Sequence, residues 1–291
     1  MPDALFSPMQ TLSDIKALLA IHNLAPAHAL GQNFLVDQNL LMRLIDTAAD
    51  RAGLTEGATV LEIGPGTGVL TEAMLARDWR VIACELDGGM SRLLRARLAD
   101  QIATSRFTLI EGDCLANRHA LSADLRAALD ASAADSFALI ANLPYGAASP
   151  VMAICAADQR CRGQFVTIQK EVADRLRAPV GSKDYGELTV MVRAFCDVER
   201  IAVLRPECFW PRPKVTSEMV ALTPLATPRT RDAGALQAMC HRLFTQRRKQ
   251  IGSVLGREFP FPAGIDPAAR PETLDVEALD ALATIARDAV A

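Results

Sequence analysis

The sequence predicts an α/β fold, in which a mainly parallel sheet carries helices on both faces and a small helical domain follows. Three observations lead to this prediction. Short apolar runs alternate with amphipathic stretches between Thr59 and Arg177, as in the strand–helix units of parallel sheets. The first apolar run ends in a glycine-rich turn that starts at Gly64, and beyond residue 231 the pattern stays helical to the end of the chain.

Composition places the chain among ordinary globular proteins. It has 291 residues, of which 50% are hydrophobic and 22% charged, enough for one large domain and one small one. No apolar run approaches ~18 residues, so we expect no membrane span. Residues 1–10 contain Asp3 and no basic cluster ahead of an apolar stretch, so we expect no secretory or organellar signal and a cytoplasmic protein.

Cysteine usage and net charge narrow the class of protein further. The seven cysteines are scattered, their number is odd, and no two have Cys-x-x-Cys spacing. This usage predicts reduced thiols and no metal site. The net charge of −3 argues, taken alone, against a nucleic-acid partner, although a local basic patch can be hidden in a global sum.

The N-terminal part contains two predicted helices and an unusual turn between them. Apolar residues recur at helical spacing in residues 11–24, and Asp37 is placed to cap the helix that begins after it. The turn is Gly31-Gln32-Asn33-Phe34-Leu35-Val36-Asp37. Taken by themselves, its polar and aromatic residues indicate a capping loop.

The alternating region predicts five strands, with polar residues or glycine at their carboxyl ends. The strands are Thr59–Ile63, Arg80–Cys84, Arg106–Ile110, Ser136–Ala141 and Gln164–Ile168. Helices are predicted at about 69–77, 88–100, within 117–135, at 149–157 and at 169–177. In parallel sheets ligands bind beyond the carboxyl ends of the strands, so Gly64, Glu85, Asp113 and Asn142 are expected to share one pocket.

After this region the pattern changes character. Residues 178–186 predict a loop, and two further strands are predicted at Val198–Leu204 and Val215–Leu222. The connection between those strands is rich in proline, which excludes a helix or an interior strand.

Three parts of the chain follow from these patterns. A large α/β domain is predicted at 1–225, a linker at 226–231 and a helical domain at 232–291. Within the helical domain a helix is predicted over 235–250, and the segment 242–257 carries five basic residues and no acid. That segment indicates either a solvated helix face or a phosphate-facing surface.

The turn Gly64-Pro65-Gly66-Thr67-Gly68 predicts a nucleotide-type cofactor loop. Glycines remove the Cβ atoms that would keep a ligand off the backbone, and the helix start offers free N–H groups. The loop lacks the Lys-Ser/Thr pair of a P-loop, and its third glycine comes one place earlier than in a dinucleotide motif. Glu85 either is a solvated acid at the end of a strand or binds a ribose diol, and it suits that of NAD or S-adenosylmethionine equally well. Asp113 either bonds an adenine amino group or is a solvated acid.

The turn Asn142-Leu143-Pro144-Tyr145 distinguishes between these cofactors. An amide oxygen, a backbone carbonyl held by the following proline and a flat aromatic ring suit the exocyclic amino group of a flipped base. This set favours transfer of a sulfonium methyl group, because such a methyl is already activated and positioning is most of the work. The alternative is an ordinary Asn-x-Pro turn at the end of a strand.

Together with other motifs, these residues resemble the KsgA-type ribosomal RNA small-subunit adenine dimethyltransferases of the rRNA adenine N(6)-methyltransferase family. The matches run in family order over about residues 10–280. They are Gly31–Asp37, Leu61–Gly68, Glu85–Asp87, Glu111–Asp113, Asn142–Tyr145, Gln169–Leu176, Tyr185–Gly186, Phe209–Ser217 and Phe244–Lys249.

The resemblance implies a Rossmann-like S-adenosylmethionine-dependent methyltransferase domain with an N-terminal helical lid at about 11–52, and a helical domain that binds rRNA. It implies dimethylation of N6 of two adjacent adenosines in the 3′-terminal hairpin loop of 16S rRNA, by a monomer, during biogenesis of the small ribosomal subunit.

The resemblance also implies a role for each matching residue. Cofactor contacts are implied for Gln32, Asn33, Leu35, Gly64, Gly66, Glu85, Asp113, Cys114 and Asn142. The catalytic set is Asn142, Leu143, Pro144, Tyr145 and Phe209, in which the Asn142 amide and the Leu143 carbonyl hold the target amine while Tyr145 and Phe209 sandwich the base. RNA contacts are implied for Arg212, Lys214, Arg247, Arg248 and Lys249.

Three other functions share parts of this pattern. A related methyltransferase modifies an adenine of large-subunit rRNA, but the Phe209–Ser217 match and the C-terminal domain that carries Gln246–Lys249 favour the small-subunit enzyme. A non-catalytic nucleic-acid-binding factor of the same fold would not need the intact glycine loop and Glu85. A small-molecule methyltransferase would not need the basic segment.

Overall fold

The computed structural model describes residues 10–27, 30–132 and 134–289. The first nine residues, on which the predicted absence of a targeting signal depends, lie outside this range. The chain divides into two compact units. Unit 1 runs up to Lys170 and includes Glu199–Thr223, and unit 2 consists of Glu171–Val198 and the chain from Pro224 onward.

Eleven strands and twelve α-helices occur in the described residues, besides three-residue 3-10 helices at Pro206–Cys208 and Pro271–Thr273. The strands are β1 (Phe34–Leu35), β2 (Thr59–Ile63), β3 (Arg80–Glu85), β4 (Phe107–Glu111), β5 (Leu115–Asn117), β6 (Ala120–Leu121), β7 (Phe137–Asn142), β8 (Cys161–Gln169), β9 (Cys196–Leu204), β10 (Phe209–Trp210) and β11 (Ser217–Pro224). The helices are α1 (Leu12–Ile21), α2 (Gln38–Ala52), α3 (Val69–Leu75), α4 (Gly88–Arg97), α5 (Ala99–Ala103), α6 (Ala123–Ala131), α7 (Ala148–Ala157), α8 (Lys170–Leu176), α9 (Glu187–Arg193), α10 (Ala233–Phe244), α11 (Ile251–Leu255) and α12 (Val276–Asp288).

A seven-stranded sheet has the strand order β4-β3-β2-β7-β8-β11-β9. The five strands from β4 to β8 are parallel, and β11 runs antiparallel to β8. The chain first adds β3 and β4 on one side of β2 and then returns to place β7 on the other side of β2. The strand order therefore reverses at β2. Such a reversal opens a crevice at the carboxyl ends of the central strands. The prediction of a Rossmann-like α/β fold is confirmed.

Local sequence explains how the central elements begin and end. All five residues of β2 are buried, as expected for a strand covered on both faces. The Asp37 carboxylate caps α2 by accepting the N–H of Leu40 at 3.1 Å, which confirms the predicted cap. Asp87 caps α4 in the same way, accepting the N–H groups of Gly89 and Met90.

Several features of unit 1 could not be read from periodicity. Residues 34–35 pair with residues 209–210 as a two-stranded antiparallel sheet, and β5 pairs with β6 at the start of the segment 117–135, in which only a helix was predicted. These strands have only two or three residues, too few for a period-2 pattern to appear. The predicted helix over 88–100 is interrupted at Leu98 and continues as α5.

Unit 2 is mostly helical and differs from the predicted helical domain by one segment. Residues 171–198, which we predicted to belong to the large domain, pack with the C-terminal helices. The reason is α9, a helix that the sequence analysis missed: its Val190 and Val192 are fully buried, and α9 lies against α10. The loop before α9 is fixed as well, because the Gly181 N–H donates to the Glu272 carbonyl at 2.7 Å.

The predicted helix over 235–250 also needs correction. Helix α10 ends at Phe244, and the basic residues 247–249 lie in the turn that leads to α11. The Arg247 guanidinium donates to the carbonyls of Lys183 and Ser182, at 2.6 and 2.9 Å, and these two hydrogen bonds fix the turn against the loop before α9. None of the helices in the described ranges has the length and apolar character needed to span a bilayer.

Candidate active site

A cavity of about 380 Å³ lies at the carboxyl ends of β2, β3, β4 and β7. It brings together all nine residues that were predicted to contact a cofactor and four of the five predicted catalytic residues. From these two sets the lining includes Gln32, Asn33, Leu35, Gly64, Gly66, Glu85, Asp113, Cys114, Asn142, Leu143, Pro144 and Tyr145. The glycine loop and the strand-end turn, which lie far apart in the sequence, thus meet in one space.

The glycines of the loop allow protein segments to approach it closely. Gly64 and Gly66 have φ of +70° and +58°, a region that favours glycine. A Cβ atom on Gly64 would lie 2.8 Å from Cγ of Pro144, and one on Gly66 would lie 2.8 Å from Cε1 of Phe34. The predicted explanation, that glycines clear the backbone for a ligand, is therefore incomplete, because these two glycines also make room for the walls of the cavity.

Glu85 is held by two backbone donors. The Gly66 N–H donates to its Oε2 at 3.0 Å, and the Asp87 N–H donates to its Oε1 at 2.9 Å. Burial raises the pKa of this carboxyl, and the two backbone hydrogen bonds oppose that rise. A carboxylate oxygen accepts two hydrogen bonds, so each oxygen retains one acceptor position for a hydroxyl group of a ligand.

The next strand end provides a second carboxylate and a thiol. Asp113 lies exposed at the rim, where its Oδ1 accepts the Leu115 N–H at 2.9 Å and leaves Oδ2 for a ligand donor. Cys114 is buried, and burial raises the pKa of its thiol to about 12. The thiol is therefore neutral near pH 7 and serves as an apolar wall, since a nucleophilic cysteine needs its thiolate.

Asn142 has its amide oriented by another segment. Its Nδ2 donates to the backbone carbonyl of Asn33 at 2.8 Å, which leaves Oδ1 as a free acceptor. The Leu143 N–H donates to the Thr167 carbonyl at 3.1 Å and fixes that peptide. Within the described ranges no protein donor reaches Asn142 Oδ1 or the Leu143 carbonyl. Two acceptors are thus available on consecutive residues.

The two predicted stacking rings have different positions. Tyr145 lines the cavity and its ring is half-buried. Burial raises the pKa of Tyr145, so the ring is neutral. Phe209 is 3% exposed, pairs with Leu35 through β10 and β1, and does not line the cavity. The structure does not bring Phe209 to Tyr145, so the sandwich around a base stays a prediction.

Glu62 is a cavity residue that the sequence analysis missed. It lies within β2, is 2% exposed, and its Oε2 accepts the Thr71 hydroxyl at 2.6 Å. Burial, together with repulsion from Glu85, raises the pKa of Glu62 to about 8, although the Thr71 hydrogen bond opposes the rise. The signal available in the sequence was an acid inside an otherwise apolar buried strand.

We expect Glu62→Gln to change how stability depends on pH. Between the ordinary pKa of 4.5 and the folded value of about 8, the native state binds more protons than the unfolded state. Wild-type stability therefore falls as pH rises through this window, whereas a glutamine amide does not titrate. In urea unfolding, the stability of the variant relative to wild type should increase from about pH 5 to about pH 8. A difference that stays constant would contradict this, and Glu56→Gln, at an exposed acid, is the matched control.

The predicted RNA-binding residues separate into two groups. Arg248 and Lys249 are exposed in the turn after α10, and Arg212 and Lys214 are exposed in the connection between β10 and β11. Arg247 instead binds protein: besides the two carbonyls, its Nε lies 3.7 Å from Oε2 of Glu272. Its guanidinium fixes the turn that carries its neighbours, so a direct contact with RNA is not supported for this residue.

Comparison with known proteins identifies the family. The model of a family described as Ribosomal RNA adenine dimethylase matches residues 26–265. The chain belongs to the ribosomal RNA adenine dimethylase family. The matched range contains the glycine loop, Glu85, Asp113 and the Asn142–Tyr145 turn. The resemblance drawn from the motifs is confirmed, and with it the prediction that the protein is a methyltransferase acting on rRNA adenine.

Related proteins are similar in sequence to this dimethylase over most of its length. Three proteins named Ribosomal RNA small subunit methyltransferase A come from Bifidobacterium longum (strain NCC 2705), Clostridium botulinum (strain Loch Maree / Type A3) and Rhodospirillum rubrum. The first is 35% identical to this chain, over 93% of this chain and 91% of its own length. The second is 38% identical, over 85% and 89%. The third is 37% identical, over 95% and 93%.

Solved structures share the fold. A dimethyladenosine transferase from Plasmodium falciparum has a TM-score of 0.62 at 21% identity and covers 84% of this chain and 94% of its own. The 23S rRNA methyltransferase ErmE has a TM-score of 0.57 at 24% identity, with coverages of 87% and 99%.

Proposed function

We propose that this protein uses S-adenosylmethionine to dimethylate N6 of two adjacent adenosines in the 3′-terminal hairpin loop of 16S rRNA. It acts on an immature small ribosomal subunit, in the cytoplasm and as a monomer. The observation that carries the proposal is the pair of free acceptors, Asn142 Oδ1 and the Leu143 carbonyl, on the same cavity as Glu85 and Asp113. The relatives named Ribosomal RNA small subunit methyltransferase A favour the small subunit.

The cavity fits the nucleoside part of this cofactor. Glu85 offers one acceptor position on each oxygen, which matches the two hydroxyl groups of a ribose. Asp113 offers Oδ2 to an adenine amino group, and the neutral Cys114 side chain supplies apolar surface beside it. When bound, S-adenosylmethionine supplies a methyl group already activated by its sulfonium charge.

The target amine needs activation by the protein. The lone pair of an adenine amino group is delocalised into the ring, so the amine is a poor nucleophile. Hydrogen bonds from its two N–H groups to Asn142 Oδ1 and the Leu143 carbonyl favour a pyramidal nitrogen with a more available lone pair. After one methyl transfer the nitrogen releases a proton to solvent, so a single N–H remains, and either acceptor still holds it for the second transfer.

Tyr145 supports the target base from its face. Stacking of a base on an aromatic side chain contributes ~1–3 kcal/mol. The half-buried position of the ring restricts its movement before the base arrives, which lowers the entropy lost on binding. In the proposed mechanism Phe209 joins as the second ring only if the 209–216 connection moves to expose it.

Binding to rRNA is assigned to the exposed cations Arg212, Lys214, Arg248 and Lys249. We expect Arg248→Glu combined with Lys249→Glu to weaken binding to small subunits and to make binding less dependent on salt, because fewer counterions are released from the RNA. Affinity for S-adenosylhomocysteine should be unchanged. The measurement is subunit binding across a salt series.

A matched control separates local contact from net charge. Arg43→Glu combined with Arg118→Glu changes the net charge equally at two other exposed arginines. Equal losses of subunit binding in the two double variants would show that residues 248–249 make no specific contact with RNA and belong to a solvated turn. Arg247 is left intact, since its substitution would disturb the turn itself.

The decisive experiment supplies immature small subunits and large subunits, separately, with methyl-labelled S-adenosylmethionine and the protein. Nucleosides from each rRNA are then separated. We expect label in dimethyladenosine from the small subunit alone. Label in large-subunit adenine would favour the related methyltransferase, and the absence of label from both would refute the proposed reaction.

A further inference from the structure

The Gln32 side chain is bound to protein at both of its polar atoms. Its Oε1 accepts the Ala27 N–H at 2.8 Å, and its Nε2 donates to Oδ2 of Asp87 at 3.1 Å. The resemblance to the dimethyltransferase family implied a direct cofactor contact for this residue. The hydrogen bonds instead place its amide between the N-terminal segment and the end of β3.

Asp87 connects this contact to the cofactor cavity. Its Oδ1 accepts the N–H groups of Gly89 and Met90 at the start of α4, which leaves Oδ2 for Gln32. Its own N–H donates to Oε1 of Glu85. One run of hydrogen bonds therefore joins Ala27, Gln32, Asp87 and Glu85.

The segment held by Gln32 forms one wall of the active site. Residues 30–35 line the cavity, and within them the Asn33 carbonyl orients the Asn142 amide. The Phe34 ring fills the space beside Gly66 and stacks on Trp210, with ring centroids 6.3 Å apart. Any movement of this segment would thus affect both the cofactor loop and the catalytic amide.

We propose that Gln32 is a positioning residue, which holds segment 30–35 closed against the cavity by bridging Ala27 and Asp87. Cofactor affinity depends on Gln32 through this closure and through Glu85. The proposal rests on the proposed function only for the identity of the ligand, S-adenosylmethionine or its product.

The chemistry of the bridge allows a test in which the amide and the carboxylate exchange positions. Gln32→Glu places a carboxylate against the Asp87 carboxylate, and the two repel each other in a half-buried position. Adding Asp87→Asn reverses the roles: the new amide at 87 donates to the new carboxylate at 32, and its oxygen still caps α4. The acceptor for the Ala27 N–H is present in every one of these variants.

The first measurement needs no ligand. Hydrogen exchange is followed by mass spectrometry in peptides covering residues 30–36 of the full-length protein. We expect Gln32→Glu to raise exchange in this segment by ~10-fold or more, which corresponds to a loss of ~1.4 kcal/mol, and the double variant to return it towards wild type. Thermal unfolding of each variant separates local opening from global instability.

The second measurement is S-adenosylhomocysteine binding by calorimetry. Gln32→Glu should weaken binding ~10-fold or more, and the double variant should recover most of that loss. If the two substitutions act additively in the exchange experiment, or if Gln32→Glu leaves exchange unchanged, the positioning role is wrong. Failure of the wild-type protein to bind would instead count against the proposed function, while the exchange data would still decide the role of Gln32.

Discussion

Asn142→Ala is expected to lower the rate of methyl transfer by ~100-fold to ~1000-fold, the range found when a positioned transition-state hydrogen bond is removed. The substitution removes Oδ1, one of the two acceptors proposed for the target amine, and also the hydrogen bond to the Asn33 carbonyl. Because Asn142 is at the end of β7 and only partly buried, the fold should survive. The measurement is single-turnover labelling of small subunits with saturating cofactor.

Two further variants sharpen this test. Asn142→Asp keeps acceptor oxygens but replaces the donor that faces the Asn33 carbonyl, so it should also lose activity if orientation of the amide matters. Asn117→Ala makes the alanine substitution at an exposed asparagine of the β5–β6 hairpin and should be fully active. Normal turnover in Asn142→Ala would remove Asn142 from the mechanism.

Glu85→Ala should weaken cofactor binding by ~100-fold or more, since hydrogen bonds to a charged group contribute ~1.5–3 kcal/mol each and two are proposed to the ribose. The substitution also removes two hydrogen bonds within the protein, because the Glu85 carboxylate accepts the N–H groups of Gly66 and Asp87. The measurement is calorimetric binding of S-adenosylhomocysteine to the full-length protein.

The chain offers a matched acid for this experiment. Glu111 pairs with Glu85 across β3 and β4, but it is exposed, lies near Arg95 and does not line the cavity. Glu111→Ala should bind the cofactor product within ~2-fold of wild type, well under 1 kcal/mol. Equal effects of the two substitutions would show that Glu85 acts through general stability and makes no ligand contact.

The fold was predictable from sequence because its signals are local. Strand and helix periodicity fixed the five parallel strands to within a few residues, and right-handed β-α connections bring their carboxyl ends to one edge of the sheet. That geometry alone places Gly64, Glu85, Asp113 and Asn142 together, as the cavity confirms. The short pairs β1–β10 and β5–β6 and helix α9 carry too little periodic signal, and packing selects them.

The sequence by itself therefore determined where the five parallel strands lie along the chain, the cofactor loop and the identity of the residues at the strand ends. Only the tertiary structure decided which partner each side chain takes. Asn142 is oriented by a carbonyl 109 residues away, Arg247 binds carbonyls 64 and 65 residues away, and Phe209 is buried. Residue spacing along a sequence indicates which side chains are neighbours on one helix or strand, but it does not indicate contacts between different elements. Such contacts form only when the chain folds.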